Sequence, residues 1–488
     1  MKPRLRITDA GYKALHAHLF PGDHDEHAAI LLAGLASLED SPTLLVREVH
    51  HLDTNEFIPG EHGYRQISAA ALARLGSRAQ AEGLALISCH SHPGAGERVG
   101  LSRDDLAGHQ RVFPHLLDIV GGARPVGGIA FGEASADGEI WIDRDRRFRL
   151  DRVDVIGDSL QRLYARPRPG SVNADPRFDR QARMFGGEGQ ELLSEMTAAV
   201  IGLGGGGSIV SEQLAHLGVG RILGIDFDCV EAHNLSRIVG AVSSDARRHR
   251  KKVKVARRLA RRINPATEFR AVDGDIADPD VAVQISQCDF IFLCTDTISS
   301  RLVANAIAQA YLIPMVQIGA KVDRPNDQIS SVYVAVRPSF PRHGCLDCAG
   351  MIDPIALRQE AATKEERAAQ NYLNLPDVID PSVVTLNAVA ASAATNLMLM
   401  YAVGMGQRGH RSHRLFDARS GSWLFLEGRQ DSSCLWCGTE AASRFGRGDG
   451  ARLPVRIATS PPSSMPRHLF EHLRSASRST FGAAAQRF

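Results

Sequence analysis

The stretch "AAVIGLGGGGSIVSEQLAHLG", residues 198–218, decides the fold. An apolar run of strand character ends at Gly202, and an amphipathic helical pattern starts after the glycines. Gly202, Gly204 and Gly207 stand at the spacing that lets a tight turn bring backbone N–H groups against a phosphate. Taken alone the motif is weak. It gains weight from "RILGID", residues 221–226, a strand ending in Asp226 where a carboxylate binds ribose hydroxyls. A nicotinamide dehydrogenase would share everything to this point. "DFDCVEAHNLSR", residues 226–237, then departs from that class by placing Asp226, Asp228, Asn234 and Arg237 on one strand exit. "RKKVKVARRLARRINP", residues 250–265, adds cations that cleavage of a triphosphate uses and hydride transfer does not.

Outward from this stretch, residues 177–440 repeat strand, glycine loop, helix and strand, which predicts a Rossmann-like doubly wound α/β domain. Residues 1–165 alternate strand-like runs ("AAILLAGLA", "TLLVREV", "LALISCH", "VGGIAFG") with helical patches, the pattern of a separate α/β domain. Residues 166–176 form a turn-rich linker. Residues 441–488, rich in arginine and carrying "SPPSSMP", are expected to be a basic flexible tail, with a short helix near "RHLFEHLRSA".

The 488 residues, 44% hydrophobic and 23% charged, suit a globular protein of several domains. A formal charge of +2 provides no global field for nucleic acid or membrane. The basic run at 247–262 has no interleaved aromatic residue, which argues further against a nucleic-acid groove, and Arg257, Arg258 and Arg261 are expected on a solvated helix face. The first twenty residues are broken by charges and offer neither a signal core nor a membrane span, so the expected location is cytoplasmic.

Cys345 and Cys348 in "HGCLDCAG", with Cys434 and Cys437 in "SSCLWCG", have structural-zinc spacing. Four thiolates close the coordination sphere, so this metal is expected to staple the domain and do no chemistry. Cys89, Cys229, Cys288 and Cys294 lie in or beside apolar strands and read as packing. A second metal pattern lies in "CHSHPGAGERVGLSRDD", residues 89–105. On an extended segment His90 and His92 face the same side, and Asp105 can return as a third ligand, leaving the open position that catalytic zinc keeps.

With these motifs in place, residues 177–437 resemble the ThiF/MoeB/HesA adenylyltransferases, the fold of ubiquitin-activating enzymes. The resemblance rests on "RFDRQ" at Arg177, the glycine loop, "DFD", "NLSR", "RINP", "CTD" at Cys294 and the two Cys-x-x-Cys pairs, all in the family's order. It implies that Asp226 holds the ribose of ATP, Asn234 and Arg237 the phosphates, and Asp296 magnesium. It further implies that Arg180 reaches into the partner subunit's site, hence a homodimer. Lys252 rather than Lys251 takes the phosphate role, since it stands ten residues before Arg262 of "RINP". The family's glycine before this lysine and glutamine after the "NLxR" arginine are replaced here by "RHRKK" and "RIVG". The implied reaction is adenylation of the C-terminal glycine of a ubiquitin-like protein, with a conjugating enzyme downstream. The crossover segment "NYLNLPDVIDPSVVTLNAVAAS" contains no cysteine. Either the adenylate passes directly to another protein, or Ser382 forms an oxyester, the alternative for Ser382 being a cap on the following helix.

The first domain resembles the JAB/MPN metalloproteases of the JAMM type, through His90, His92, Pro93, Ser102 and Asp105. The upstream acid is Glu26, with His27 the alternative if the register slips by one. The resemblance implies catalytic zinc on His90, His92 and Asp105, Glu26 as general base and Ser102 as oxyanion donor. A peptidase fused to an activating enzyme is therefore expected, acting on the same ubiquitin-like end. Charging of a sulfur carrier for cofactor biosynthesis, or an inert first domain that only recruits the partner, are the competing readings.

Overall fold

The computed structural model describes residues 3–36, 42–58, 66–121, 124–168, 175–323, 328–361, 381–407 and 411–456. The "RHLFEHLRSA" helix, residues 371–380 of the crossover segment and part of the linker lie outside the described residues. The chain forms two compact units.

The first unit comprises Met1–Pro169 together with Ala310–Leu312 and Arg444–Ala451. The four strand-like runs are strands, Ala28–Ala36, Thr43–His51, Ala85–Ser91 and Val126–Phe131. They sit centrally in a nine-stranded mixed sheet. Ala28–Ala36 pairs antiparallel with both Thr43–His51 and Ala85–Ser91, and Ala85–Ser91 runs parallel to Val126–Phe131. Every residue of Ala28–Ala36 is buried, as an inner strand covered on both faces requires. One face is closed by helix Asp9–Leu19 through Tyr12, Leu15 and Leu19. The other face packs Leu75 and Ala79 of helix Ala69–Glu82 and Phe113, Leu116 and Val120 of helix Arg103–Val120.

The expectation of a flexible tail from 441 onward does not hold for its first residues. Phe445 is buried, Arg47 Nη1 donates to its carbonyl at 2.6 Å, and the Asp449 N–H donates to the Leu35 carbonyl at 2.8 Å. Gly448 forms a parallel bridge with Leu35, so this segment extends the backbone pairing of the Ala28–Ala36 strand. A Cβ at Gly34 would lie 2.1 Å from the Gly446 carbonyl oxygen, so that position must stay glycine for the segment to seat.

The second unit is built on an eight-stranded sheet. Thr197–Ile201 lies between Arg221–Ile225 and Phe290–Leu293, parallel to both, and Glu268–Val272 lies beyond Arg221–Ile225. Successive strands are thus added first on one side of Thr197–Ile201 and then on the other. The end of that strand is the topological switch point, where open α/β sheets bind ligands. Past Phe290–Leu293 come Met315–Asp323, parallel, then Ser331–Ser339, His413–Asp417 and Ser422–Leu426, all antiparallel. Helix Val384–Ala402 is long and apolar enough to cross a bilayer by composition alone. Here Ala390, Ala394, Leu397, Met398 and Tyr401 are buried within the unit.

Candidate functional site

At the switch point, the glycine turn connects strand Thr197–Ile201 to helix Gly205–Leu217. Gly202 and Gly207 are needed for different reasons. Gly202 has φ +85°, a region open to glycine, and a Cβ there would lie 2.7 Å from Thr295 Cγ2. A Cβ at Gly207 would lie 1.8 Å from the Gly202 carbonyl oxygen. A Cβ at Gly204 would meet nothing within 4 Å, so its bareness leaves open space at the helix N-terminus. Gly204 is the N-cap and no side chain caps the helix, so its first N–H groups remain available to an anion.

Asp226 is buried at the end of the neighbouring strand. Its Oδ2 accepts from the Leu203 N–H at 2.7 Å and its Oδ1 from the Asp228 N–H at 2.8 Å. The carboxylate therefore ties the glycine turn to the strand exit. Burial raises its pKa, against the lowering effect of Lys252 and the two N–H donors.

The two candidate lysines diverge. Lys252 begins helix Lys252–Ile263, with Nζ 2.6 Å from Asp228 Oδ2 and 4.0 Å from Asp226 Oδ1. Lys251 donates instead to the Phe227 carbonyl at 2.7 Å and pairs with Asp273 at 2.9 Å. Asn234 is buried in the short helix Ala232–Asn234, where its Oδ1 accepts from the Glu231 N–H at 3.1 Å. Arg237 Nη1 donates to the His233 carbonyl at 2.9 Å, and its Cβ would lie 3.6 Å from a Cβ built at Gly205. Asp296 and Arg180 are exposed, and neither has a protein partner among the described residues. Arg258 departs from the solvated-face expectation. It forms a bidentate pair with Asp245, at 2.8 and 2.7 Å, and donates to the Gly240 carbonyl.

Ser382 does not cap the following helix. The cap position is Val383, without a side-chain hydrogen bond, and Ser382 Oγ accepts from Asn387 Nδ2 at 3.1 Å. Asn387 also reaches the glycine turn, where a Cβ at Gly205 would lie 2.2 Å from its Nδ2. Neither Asn387 nor Gly205 is among the residues singled out from sequence. The one signal is a polar residue in the first turn of a helix otherwise rich in alanine and valine.

The four motif cysteines form one cluster, with Cys345 Sγ 3.7 Å from Cys434 Sγ and Cys348 Sγ 3.4 Å from Cys437 Sγ. The Asp431 and Trp436 N–H groups donate to Cys348 and Cys434 sulfurs, both at 3.4 Å. Sulfurs this close cannot all ionise without a cation. The crowding pushes the Cys437 thiol up and makes Cys434 the easiest to deprotonate. The donor set fits a closed tetrahedral zinc site. Burial keeps Cys89 protonated, its pKa pushed up to about 12, and Cys294 is likewise raised by burial.

In the first unit, the end of strand Ala85–Ser91 and the start of helix Arg103–Val120 bring a second donor set together. His90 Nε2 lies 3.0 Å from His92 Nε2 and 3.2 Å from Asp105 Oδ1, and His92 Nε2 lies 3.5 Å from Asp105 Oδ2. Ser102 is the helix N-cap. Its Oγ accepts from the Asp105 N–H at 3.0 Å, and Asp105 Oδ2 accepts from the Ser102 N–H at 2.7 Å. Burial opposes ionisation of Asp105, but the two imidazoles outweigh it and hold the carboxyl far below the usual range. The hydrogen bond to Asp105 in turn raises His92. Two imidazoles and one carboxylate converging in this way fit an open three-ligand zinc site.

Glu26 lines the same cavity, about 390 Å³, as His90 and Asp105, and its charge acts on His92. The adjacent His27 lines the same cavity, with its Nε2 2.9 Å from Asp23 Oδ1. Apolar Ile58, Ile67, Leu72 and Leu116 line the cavity together with polar Gln66, Arg111 and His115. His109 takes no part in the cluster; it bonds Glu139 at 2.8 Å and stacks on Phe113.

Compared with known proteins, the chain is 37% identical over 156 residues to the molybdopterin-synthase adenylyltransferase of Escherichia coli, covering 32% of this chain and 61% of that protein. It is 24% identical over 251 residues to the sulfur carrier protein ThiS adenylyltransferase of the same organism, covering 51% of this chain and 89% of that one. Ubiquitin-like modifier-activating enzyme 5 of Drosophila willistoni is 24% identical over 229 residues, 44% of this chain and 52% of its own length. Residues 178–435, holding the glycine turn, Asp226, Lys252 and three of the four clustered cysteines, match the ThiF family. That match takes in more than half of the 488 residues, and the chain belongs to the ThiF family.

Proposed function

We propose that the second unit adenylates the C-terminal carboxylate of a ubiquitin-like protein and that the first unit is a zinc peptidase acting on the same protein. The observation that carries the first part is the placement of Lys252 beside Asp226 and Asp228 at an uncapped, glycine-lined helix N-terminus. A carboxylate oxygen of the substrate attacks the α-phosphorus of ATP. The bond between that phosphorus and the oxygen bridging to the β-phosphate breaks, and pyrophosphate leaves with the electron pair. Lys252, Arg237 and the free N–H groups of the turn stabilise the charge that develops. Magnesium, which the exposed carboxylate of Asp296 suits, would neutralise charge on the triphosphate. Arg180, exposed and unpaired among the described residues, is disposed to serve a second copy in a homodimer.

A protein substrate needs a surface as well as a pocket. Strand Ser422–Leu426 presents Trp423, Leu424, Phe425 and Leu426 to solvent at the sheet edge, with Phe425 60% exposed. The name of one Escherichia coli relative, the sulfur carrier protein ThiS adenylyltransferase, favours a sulfur carrier as the second reading of the partner.

In the first unit, zinc on His90, His92 and Asp105 would supply the Lewis acid for amide hydrolysis. Glu26 accepts the proton of the attacking water and returns it to the leaving amine. Ser102 uses an oxygen lone pair to cap its helix, which leaves its O–H to donate to the oxyanion. A cytoplasmic setting with a conjugating enzyme downstream completes the proposal.

The test of the adenylation reading is exchange of labelled pyrophosphate into ATP in the presence of magnesium and candidate ubiquitin-like or sulfur-carrier proteins. Lys252→Ala is expected to lower the exchange rate about 100-fold, and Lys251→Ala by less than about threefold. Equal losses would remove the distinction drawn between them. Zinc analysis tests the first unit. The intact protein should hold two zinc ions per chain, His90→Ala should hold one, and Glu26→Gln should hold two while losing cleavage of a ubiquitin-like fusion. A single zinc that His90→Ala leaves in place would favour the inert, recruiting first domain.

A further inference from the structure

The geometry points to Asn387 as a positioning residue of the nucleotide site, its side-chain amide donating to a phosphate oxygen of ATP held at the glycine turn. The inference rests on the adenylation reading of the second unit. Asn387 lies in the first turn of helix Val384–Ala402, 182 residues beyond Gly205 in sequence yet in contact with it. Gly205 is the first residue of helix Gly205–Leu217, and its N–H is among those free to meet an anion. A Cβ at this position would come within 2.2 Å of Asn387 Nδ2. Gly205 thus stays bare to admit the amide. Its φ is not in the left-handed region, so backbone conformation does not demand glycine.

One N–H of the amide donates to Ser382 Oγ at 3.1 Å, which fixes its orientation. Among the described residues the side chain has no other hydrogen-bond partner, so the second N–H and the carbonyl oxygen are uncommitted. Arg237 also stands beside Gly205, its Cβ 3.6 Å from the same built Cβ. A neutral donor held by a hydroxyl and the root of an arginine side chain therefore both stand at the start of one helix. A rigid neutral donor can set the phosphate's orientation without adding charge, and the arginine supplies the charge. This also gives Ser382 a role that needs no covalent intermediate, as the anchor of the amide.

The test uses the full-length protein, a non-hydrolysable ATP analogue with magnesium, and adenosine as a phosphate-free control. Asn387→Ala should weaken the analogue about tenfold. Asn387→Asp, the same shape with a charge opposed to the phosphates, should weaken it about 30-fold or more. In both variants adenosine affinity should stay within about twofold and the thermal midpoint should be unchanged, which a purely structural role does not predict. Gly205→Ala should weaken the analogue at least about tenfold alone, but add less than about twofold in the Asn387→Ala background, because the clash is then gone. Wild-type affinity in Asn387→Asp, or parallel losses of analogue and adenosine, would overturn the inference and leave the adenylation reading intact. Analogue binding that responds to Asn387→Asp without any pyrophosphate exchange would sustain the inference and overturn the adenylation of these carriers. A wild-type protein that does not bind the analogue would end both.

Discussion

Asp226→Asn is expected to abolish binding of magnesium-ATP and with it pyrophosphate exchange, a loss of about 1,000-fold or more, while the protein remains folded. The carboxylate accepts from Leu203 and Asp228 N–H groups, so it holds the glycine turn and the strand exit in one geometry. An asparagine can accept one of these bonds and must turn an N–H toward the other donor. A charge-assisted bond is worth about 1.5–3 kcal/mol, and losing one, weakening the other and losing the ribose contact together account for a deficit of this size. Stability behaves oppositely. Burial raises the pKa of Asp226, so ionising it opposes folding at neutral pH, and that penalty is relieved only as pH falls through the raised pKa. Neutralising the side chain removes the penalty at all pH values. Calorimetric titration of nucleotide beside a thermal melt measures both quantities, and a variant that melts early would show that Asp226 serves the fold more than the site.

The second large effect belongs to the cysteine cluster. Cys345→Ser with Cys348→Ser is expected to remove one zinc ion per chain and to lower the thermal midpoint by more than about 15 °C. Structural zinc sites contribute about 10–16 kcal/mol in isolated peptides, comparable with the whole stability of a typical domain. The cluster joins segments 89 residues apart, and Cys345, Trp436 and Cys437 pack with Ala306 in a small apolar core edged by Leu302 and Leu453. Because the site is closed, exchange measured on the surviving folded fraction should keep its rate per molecule. Full zinc retention with an unchanged midpoint in the double variant would count against a structural metal here.

The parts of the molecule legible in sequence were those specified by neighbours in the chain. The buried strand "AAILLAGLA" is a continuous apolar run, and the turn at Gly202 and Gly207 follows a short spacing that backbone geometry demands. His90 and His92 could be placed on one face from their own two-residue spacing. The features that escaped depend on residues distant in sequence. Arg258 looks like one more cation on a basic helix until the fold brings Asp245 against it. Gly205 looks like one of four equivalent glycines, and only the contact with Asn387 distinguishes it. Phe445 and Gly448 lie in a run of arginines and glycines whose composition is that of a solvated tail, and nothing local announces their seat beside Leu35.

That seat has a consequence for biosynthesis. A ribosome makes the amino-terminal half of this polypeptide first, and most multidomain proteins fold in that order. Here the outermost rung beside Leu35 is supplied by residues near position 448, so the earliest unit to be translated is among the last to be finished. Until then Gly34 and its neighbours wait with their backbone uncovered, and a fragment released by proteolysis or stalled translation before residue 444 would expose that vacancy to any passing strand.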